Sequence, residues 1–177
     1  MIFKDINIIL MTLLIIAVVN DIRFQKIPNA MTYPAMIIGI AYHSVVNGLQ
    51  GFLFSMEGII VGIALLIAFY IMGGIGAGDV KFMGSIGAFL GPKAVFTVFI
   101  YAALIGGIYA LAVLAHHGFL KAALKRYWTI LRTYVLSGNF VYIPDSQEER
   151  NLRLYYGIPI ALGAVLVTLG SEILTLI

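Results

Sequence analysis

G-I-I-V-G-I-A-L-L-I-A-F-Y-I-M-G-G-I-G-A-G-D-V-K, residues 58–81, contains 21 uncharged residues in succession before Asp79. A run of about 20 apolar residues is long enough for a helix to cross the hydrocarbon core of a bilayer. The rest of the chain is similar, since 62% of its 177 residues are hydrophobic and 11% are charged. Soluble domains carry about 25% charged residues. The composition therefore predicts one polytopic membrane domain, residues 1–177.

Uncharged runs predict six transmembrane helices, and one of them is short. The fourth run holds 11 residues between Lys81 and Lys93, roughly half of the bilayer core at 1.5 Å per residue. It is either a short span or a re-entrant loop. If it is a span, the backbone near Gly78 and Asp79 is expected to be irregular and to line a water-accessible recess. The six runs are Ile6–Asn20, Ile27–Met56 with a turn near Asn47 and Gly48, Gly58–Gly78, Phe82–Pro92, Ala94–Leu120 and Leu154–Ser171.

The distribution of basic residues favours six spans over a re-entrant loop, because cytoplasmic loops retain Lys and Arg. With six spans and both termini outside, only Lys4 and Lys93 of the 11 basic residues lie outside. A re-entrant fourth segment would leave four inside and seven outside. We therefore predict an all-α multi-pass protein of the cell (plasma or inner) membrane. The nine inner residues are Arg23, Lys26, Lys81, Lys121, Lys125, Arg126, Arg132, Arg150 and Arg153.

The long inner loop between the fifth and sixth spans contains an amphipathic pattern. Its apolar residues recur at spacings of three and four, basic residues occupy the other side, and Trp128 supplies an interfacial ring. This predicts an interfacial helix on the lipid headgroups of the inner leaflet, with a substrate-docking surface as the alternative. Asp145, Glu148 and Glu149 follow as an acidic cluster that could attract a basic peptide. The pattern consists of Leu120, Leu124, Tyr127, Leu131 and Tyr134, opposed by Lys121, Lys125 and Arg132.

Two acidic residues, Asp21 and Asp79, are predicted to lie at the inner ends of membrane helices, on one side and at one depth. An ionisable group near hydrocarbon is by default a functional hypothesis, although Arg23 or Lys81 could make either a simple ion pair. Four glycines precede Asp79 within six residues. An acid beside a glycine hinge suits a peptide-binding cleft, and close helix packing is the alternative explanation. We favour packing for two further glycine pairs, Gly58 with Gly62 and Gly87 with Gly91.

Two adjoining aspartates can share one proton and work as an acid and a base on a peptide bond. That chemistry needs no metal and no cofactor. Metal ligation has weak support, because His43 is expected to be an interfacial residue and the adjacent His116 and His117 point to different helix faces. The chain has no cysteine, which excludes thiolate catalysis and disulfides. The segment G-G-I-G-A-G is not a phosphate-binding loop, and no nucleic-acid partner is expected.

These residues resemble the type IV prepilin peptidases, which are GxGD-type intramembrane aspartic proteases. D-I-R-F-Q-K-I-P-N, Asp21 to Asn29, is similar to the first signature of that family, and G-A-G-D-V-K, Gly76 to Lys81, is similar to its GxGD box. Y-G-I-P-I-A-L-G from Tyr156 resembles the last helix more weakly. The resemblance implies that Asp21 and Asp79 are the catalytic pair. The residues expected to bind substrate or shape the cleft are Gly76, Gly78, Lys81, Ile27, Pro28 and Asn29.

The resemblance also implies the substrate, a prepilin-like precursor cut after a short basic leader at the cytoplasmic face. Long bacterial members carry an added cysteine-containing region and methylate the new N-terminus. This chain resembles the shorter TadV or CpaA type of tight-adherence (Flp) pili, with archaeal preflagellin peptidases as the near alternative. No methyltransferase activity is expected, and pilus assembly machinery is an expected partner. The rival hypotheses are a six-helix transporter or ion-coupled carrier and a non-catalytic assembly factor.

Overall fold

The computed structural model describes residues 2–138 and 154–176, and in these residues the regular structure is entirely α-helical. The acidic cluster of Asp145, Glu148 and Glu149 lies outside the described residues. Within residues 2–138 and 154–176, three helices are long and apolar enough to cross a membrane, and a shorter apolar stretch covers Gly157–Gly170. The helices are α1 Ile2–Phe24, α2 Asn29–Ile71, α3 Ala77–His116, α4 Leu120–Ser137 and α5 Gly157–Leu176.

Helix α2 consists of two arms that fold back on each other at Gly48. The backbone of Gly48 has φ 58° and ψ −137°, a left-handed conformation that glycine adopts without steric cost. The Ser55 hydroxyl donates to the Gly39 carbonyl at 3.2 Å across 16 residues, which would lie about 24 Å apart along a straight helix. The turn predicted near Asn47 and Gly48 is therefore confirmed. The second arm begins directly after it, earlier than the predicted start at Gly58.

Helix α3 folds back in the same way at Gly91, where φ is 78° and Pro92 follows. The second arm of α2 runs antiparallel to the first arm of α3, residues 77–90, because Gly58 contacts Gly87 and Gly62 contacts Met83. Near the end of α2, the Phe69 ring lies 6.2 Å from the ring of Phe99, which belongs to the second arm of α3. The two arms of α3 therefore lie side by side. The prediction that the fourth helix spans Phe82–Pro92 was wrong at its start, because the helix begins at Ala77 and includes Asp79 and Lys81.

Small residues allow these arms to approach closely. A methyl group added to Gly58 would overlap the carbonyl oxygen of Gly87, and one added to Gly62 would lie 2.6 Å from the carbonyl oxygen of Met83. Such contacts between backbones stabilise helix pairs where burial from water contributes little. The packing role expected for Gly58 and Gly62 is confirmed, and Gly87 fits the same role.

Polar side chains add a second set of contacts between the two arms of α2 and the first arm of α3. Ser85 donates to the carbonyl of Thr32 at 3.0 Å, and Ser55 donates to the carbonyl of Ala88 at 2.9 Å. His43 is 8% exposed, and its Nε2 lies 2.9 Å from the carbonyl oxygen of Phe89. His43 is therefore buried against the last turn before the Gly91 bend, and its expected position at the outer membrane interface stays a prediction.

The chain divides into two compact units. The first comprises Met1–Gly106 and Tyr155–Ile177, in which α5 packs beside the second arm of α3, with Gly163 close to the carbonyl of Val98. The second comprises Gly107–Leu154 and contains α4, so the predicted amphipathic segment is helical. An apolar stripe of α4 is exposed, with Leu124 at 56%, Trp128 at 68% and Val135 at 73%.

Candidate active site

Asp21 lies in the last turn of α1 and is buried, with 7% of its surface exposed. Its Oδ2 accepts a hydrogen bond of 2.9 Å from the backbone N–H of Gly157, the first residue of α5. The N–H groups at the start of a helix have no partner within the helix and stabilise a nearby negative charge. The start of α5 therefore provides Asp21 with the polar contact that the surrounding apolar residues cannot.

Gly157 is at this position for a steric reason. A Cβ built on it would lie 2.7 Å from Oδ2 of Asp21 and 3.1 Å from its Cγ, closer than a carbon atom can approach without displacing the carboxylate. The sequence analysis placed Gly157 in the last family-like segment but missed it as a site residue. The available signal was its place at a helix start two residues before Pro159, since proline is tolerated in the first turn.

Asp79 lies in the first turn of α3, and its carboxylate points back to the start of that helix. Its Oδ2 accepts the N–H of Gly76 at 3.0 Å, and the Gly76 carbonyl accepts the N–H of Asp79 at 3.1 Å. This is the geometry of the acidic residue in a capping box, which stabilises a helix start. The prediction of an irregular backbone at Gly78 and Asp79 was wrong, because both residues are part of α3. The left-handed glycine of this segment is Gly73, with φ 77°.

The structure brings the segments that carry Asp21 and Asp79 together at one end of the first unit. The contact that joins their segments is Gly78 against Ile27, where an added Cβ would lie 3.0 Å from the carbonyl oxygen and 3.2 Å from Cβ of Ile27. Two acidic residues 58 positions apart in the sequence therefore lie on adjoining segments, and each carboxylate accepts a glycine N–H.

The I-P-N segment forms the turn between α1 and α2. Ile27 is buried, and Pro28 precedes α2 with φ −72° and ψ 144°, an extended conformation that suits the residue before a helix. The Pro28 carbonyl accepts the N–H of Met31 at 3.0 Å. Asn29, the first residue of α2, accepts a hydrogen bond of 2.8 Å from Nζ of Lys81. The simple ion-pair alternative required Lys81 to bond to Asp79. In the structure Lys81 bonds to Asn29 instead.

Comparison with known proteins is consistent with this arrangement. A model of the type IV leader peptidase family matches residues 8–111, which include Asp21, the I-P-N segment and Asp79. The chain belongs to the type IV leader peptidase family. It is 33% identical over 107 residues to the prepilin leader peptidase/N-methyltransferase of Bacillus subtilis (strain 168). That alignment covers 59% of this chain and 43% of the relative, so the chain spans less than half of the relative's length. No solved structure matches the chain.

The Gly157 contact generates a test. We expect Gly157→Ala to lower peptidase activity on a prepilin-like precursor by about tenfold or more, because the added methyl group displaces the Asp21 carboxylate, and small misplacements of a reacting group are costly. Gly170→Ala is the matched control, since the same methyl group in the same helix would meet no atom within 4 Å. Both variants are purified, their thermal unfolding is compared, and initial cleavage rates are measured. Equal rates for the two variants would contradict the positioning role of Gly157.

Proposed function

We propose that this protein is an intramembrane aspartic endopeptidase that removes the basic leader from prepilin-like precursors at the cytoplasmic face of the membrane. The observation that supports the proposal is the contact of Gly78 with Ile27, which joins the segments that carry Asp79 and Asp21 at one end of the first unit, in a chain that belongs to the type IV leader peptidase family. The transporter alternative has no comparable support.

The chemistry requires two carboxyl groups that hold one proton between them. The ionised carboxylate takes a proton from water as the water oxygen attacks the carbonyl carbon of the scissile peptide bond. The protonated carboxyl group donates to the carbonyl oxygen and then, as the C–N bond breaks, a proton passes to the leaving nitrogen. The Gly157 N–H at Asp21 and the Gly76 N–H at Asp79 orient each Oδ2 while the proton moves.

We propose six spans with both termini outside, in the plasma or inner membrane. The two arms of α2 and the two arms of α3 supply four of these spans, because Gly48 and Gly91 each reverse the chain. Together with α1 and α5 they make up the six proposed spans, and the candidate site then lies at the end of the bundle that also holds Arg23 and Lys26. The excess of basic residues on that side is the pattern of cytoplasmic loops.

We further propose that α4 lies on the headgroups of the inner leaflet. Leu124, Trp128 and Val135 form its exposed apolar stripe, and Lys121, Lys125 and Arg132 are also exposed. On a helical projection of 100° per residue, these cations border the stripe. An apolar stripe that inserts among acyl chains beside cations that meet anionic headgroups is the arrangement of interfacial helices. The assignment to Flp-type pili, the pilus machinery as a partner and the lack of methyl transfer stay predictions.

The catalytic roles are tested by Asp21→Asn and Asp79→Asn. Each amide keeps an oxygen that can accept the glycine N–H, so we expect both variants to fold, while cleavage falls by about 10³-fold because acid–base transfer is lost. The substrate is a precursor with a basic leader and a following apolar helix, added to protein reconstituted in liposomes. Glu57→Gln on α2, an exposed carboxylate, is the control. Normal processing by either aspartate variant would overturn the proposal.

The shared proton predicts a bell-shaped dependence of kcat/KM on pH. At low pH both carboxyl groups are protonated and no base remains, whereas at high pH both are ionised and no acid remains. We expect one limb to disappear in any residual activity of a single Asp→Asn variant. Rates are measured in liposomes whose integrity is checked at each pH. A profile that stays flat from acidic to alkaline pH would contradict the two-carboxylate mechanism.

The topology is tested with single cysteine substitutions. Because the chain has no cysteine of its own, a thiol reagent labels only the introduced residue. We expect a membrane-impermeant maleimide to label Gln50→Cys in intact cells, because residue 50 follows the outer turn at Gly48. Lys26→Cys and His117→Cys are expected to react only after permeabilisation. All three positions are exposed, so a cysteine that fails to react in intact cells lies on the inner side of the membrane. Labelling of Lys26→Cys from outside would refute the proposed orientation.

A further inference from the structure

Lys81 connects the two sequence segments that supply the candidate site. Its Nζ donates to Asn29 Oδ1 at 2.8 Å and lies 5.3 Å from the centroid of the Tyr33 ring. Asn29 and Tyr33 are four residues apart on α2, so their side chains share one face. A cation over an aromatic ring gains electrostatic attraction, and a hydrogen bond from a charged donor is stronger than a neutral one. The ammonium group is thus held from two sides by the first turns of α2.

The position of this contact in the fold is specific. Asp79 lies between two contacts that join the start of α3 to the segment 27–33: Gly78 against Ile27 and Lys81 to Asn29. Deeper in the same helix pair, Ser85 donates to the Thr32 carbonyl and His43 contacts the Phe89 carbonyl. Lys81 is therefore the terminal member of the polar contacts between the first arms of α2 and α3. Its loss leaves the deeper contacts in place, so the helix pair remains while its end loosens.

We propose that Lys81 is a positioning residue: its hydrogen bond to Asn29, supported by the Tyr33 ring, sets where the first turn of α3 holds Asp79 relative to Asp21. This inference rests on the proposed peptidase function and assigns Lys81 a role through Asp79, without contact to the reacting atoms. Charge tuning of Asp79 by Lys81 is the competing explanation. The two differ because positioning depends on Asn29, whereas charge tuning depends only on the cation.

The test is a double-mutant cycle with Lys81→Met, Asn29→Ala and the combined variant. We expect each single change to lower kcat by about 10- to 100-fold with little change in KM. The combined variant should lose no more than the worse single variant, because both changes remove one contact. Lys81→Arg, which can still donate to Asn29 and lie over the ring, should retain more activity than Lys81→Met. Lys26→Met, which removes an exposed cation, is the charge control and should leave kcat unchanged.

A second readout does not depend on activity. Spin labels on Phe24→Cys, at the end of α1, and Ala77→Cys, at the start of α3, report the distance between the two aspartate-bearing segments by pulsed electron paramagnetic resonance. Both positions are exposed. We expect a single narrow distance distribution in the parent protein and a broader one after Lys81→Met or Asn29→Ala. The pH limbs of any residual activity should not move.

Three outcomes would overturn the positioning role: full kcat in Lys81→Met, additive losses in the cycle, or a displaced pH limb with an unchanged spin-label distance. Failure of the proposed function is distinguishable from these. If Asp21→Asn and Asp79→Asn abolish cleavage while Lys81→Met is fully active, only the inference about Lys81 fails. If the aspartate variants cleave normally, the peptidase proposal fails, and the spin-label distances still decide whether Lys81 holds the two segments together.

Discussion

A carboxylate at the end of an apolar helix is stable only if polar groups of the protein replace the water that it loses. In this chain each candidate carboxylate receives a backbone N–H, Asp21 from Gly157 and Asp79 from Gly76. Both donors are at helix starts, where N–H groups are unpaired and the helix dipole favours negative charge. Both are glycines, and at residue 157 a side chain would occupy the space of the carboxylate. The arrangement of the helices is constrained by this need to bring helix starts to acidic side chains.

The two reversals of the long helices satisfy that constraint. Because α2 folds back at Gly48 and α3 at Gly91, the starts of α2, α3 and α5 and the end of α1 all meet at one end of the first unit. Close backbone contacts such as Gly58 with Gly87 keep the arms in register. A helix pair with so little side-chain volume between its backbones has few ways to slide, and this rigidity fixes the start of α3, where Asp79 lies.

The site combines two functions in the same residues. Asp79 caps α3 through Gly76 and is also a proposed reacting group, and Asn29 begins α2 and also binds Lys81. Residues that both start a helix and hold a reacting group couple the integrity of that helix to the geometry of the site. This explains why two short segments, 21–29 and 76–81, contain most of the side chains from which the proposed chemistry is built.

The sequence by itself determined the all-helical class, the turn near Gly48 and the helical nature of residues 120–137, and it predicted Asp21 and Asp79 as the candidate pair. Each follows from local properties: length of apolar runs, glycine at a break, periodicity and the cost of charge near hydrocarbon. Only the tertiary structure decided that Gly157 contacts Asp21, that Lys81 binds Asn29 and not Asp79, and that His43 is buried. Those outcomes depend on which residue of one helix lies opposite which residue of another. That register follows from packing between segments distant in the sequence, which residue spacing along one segment does not encode.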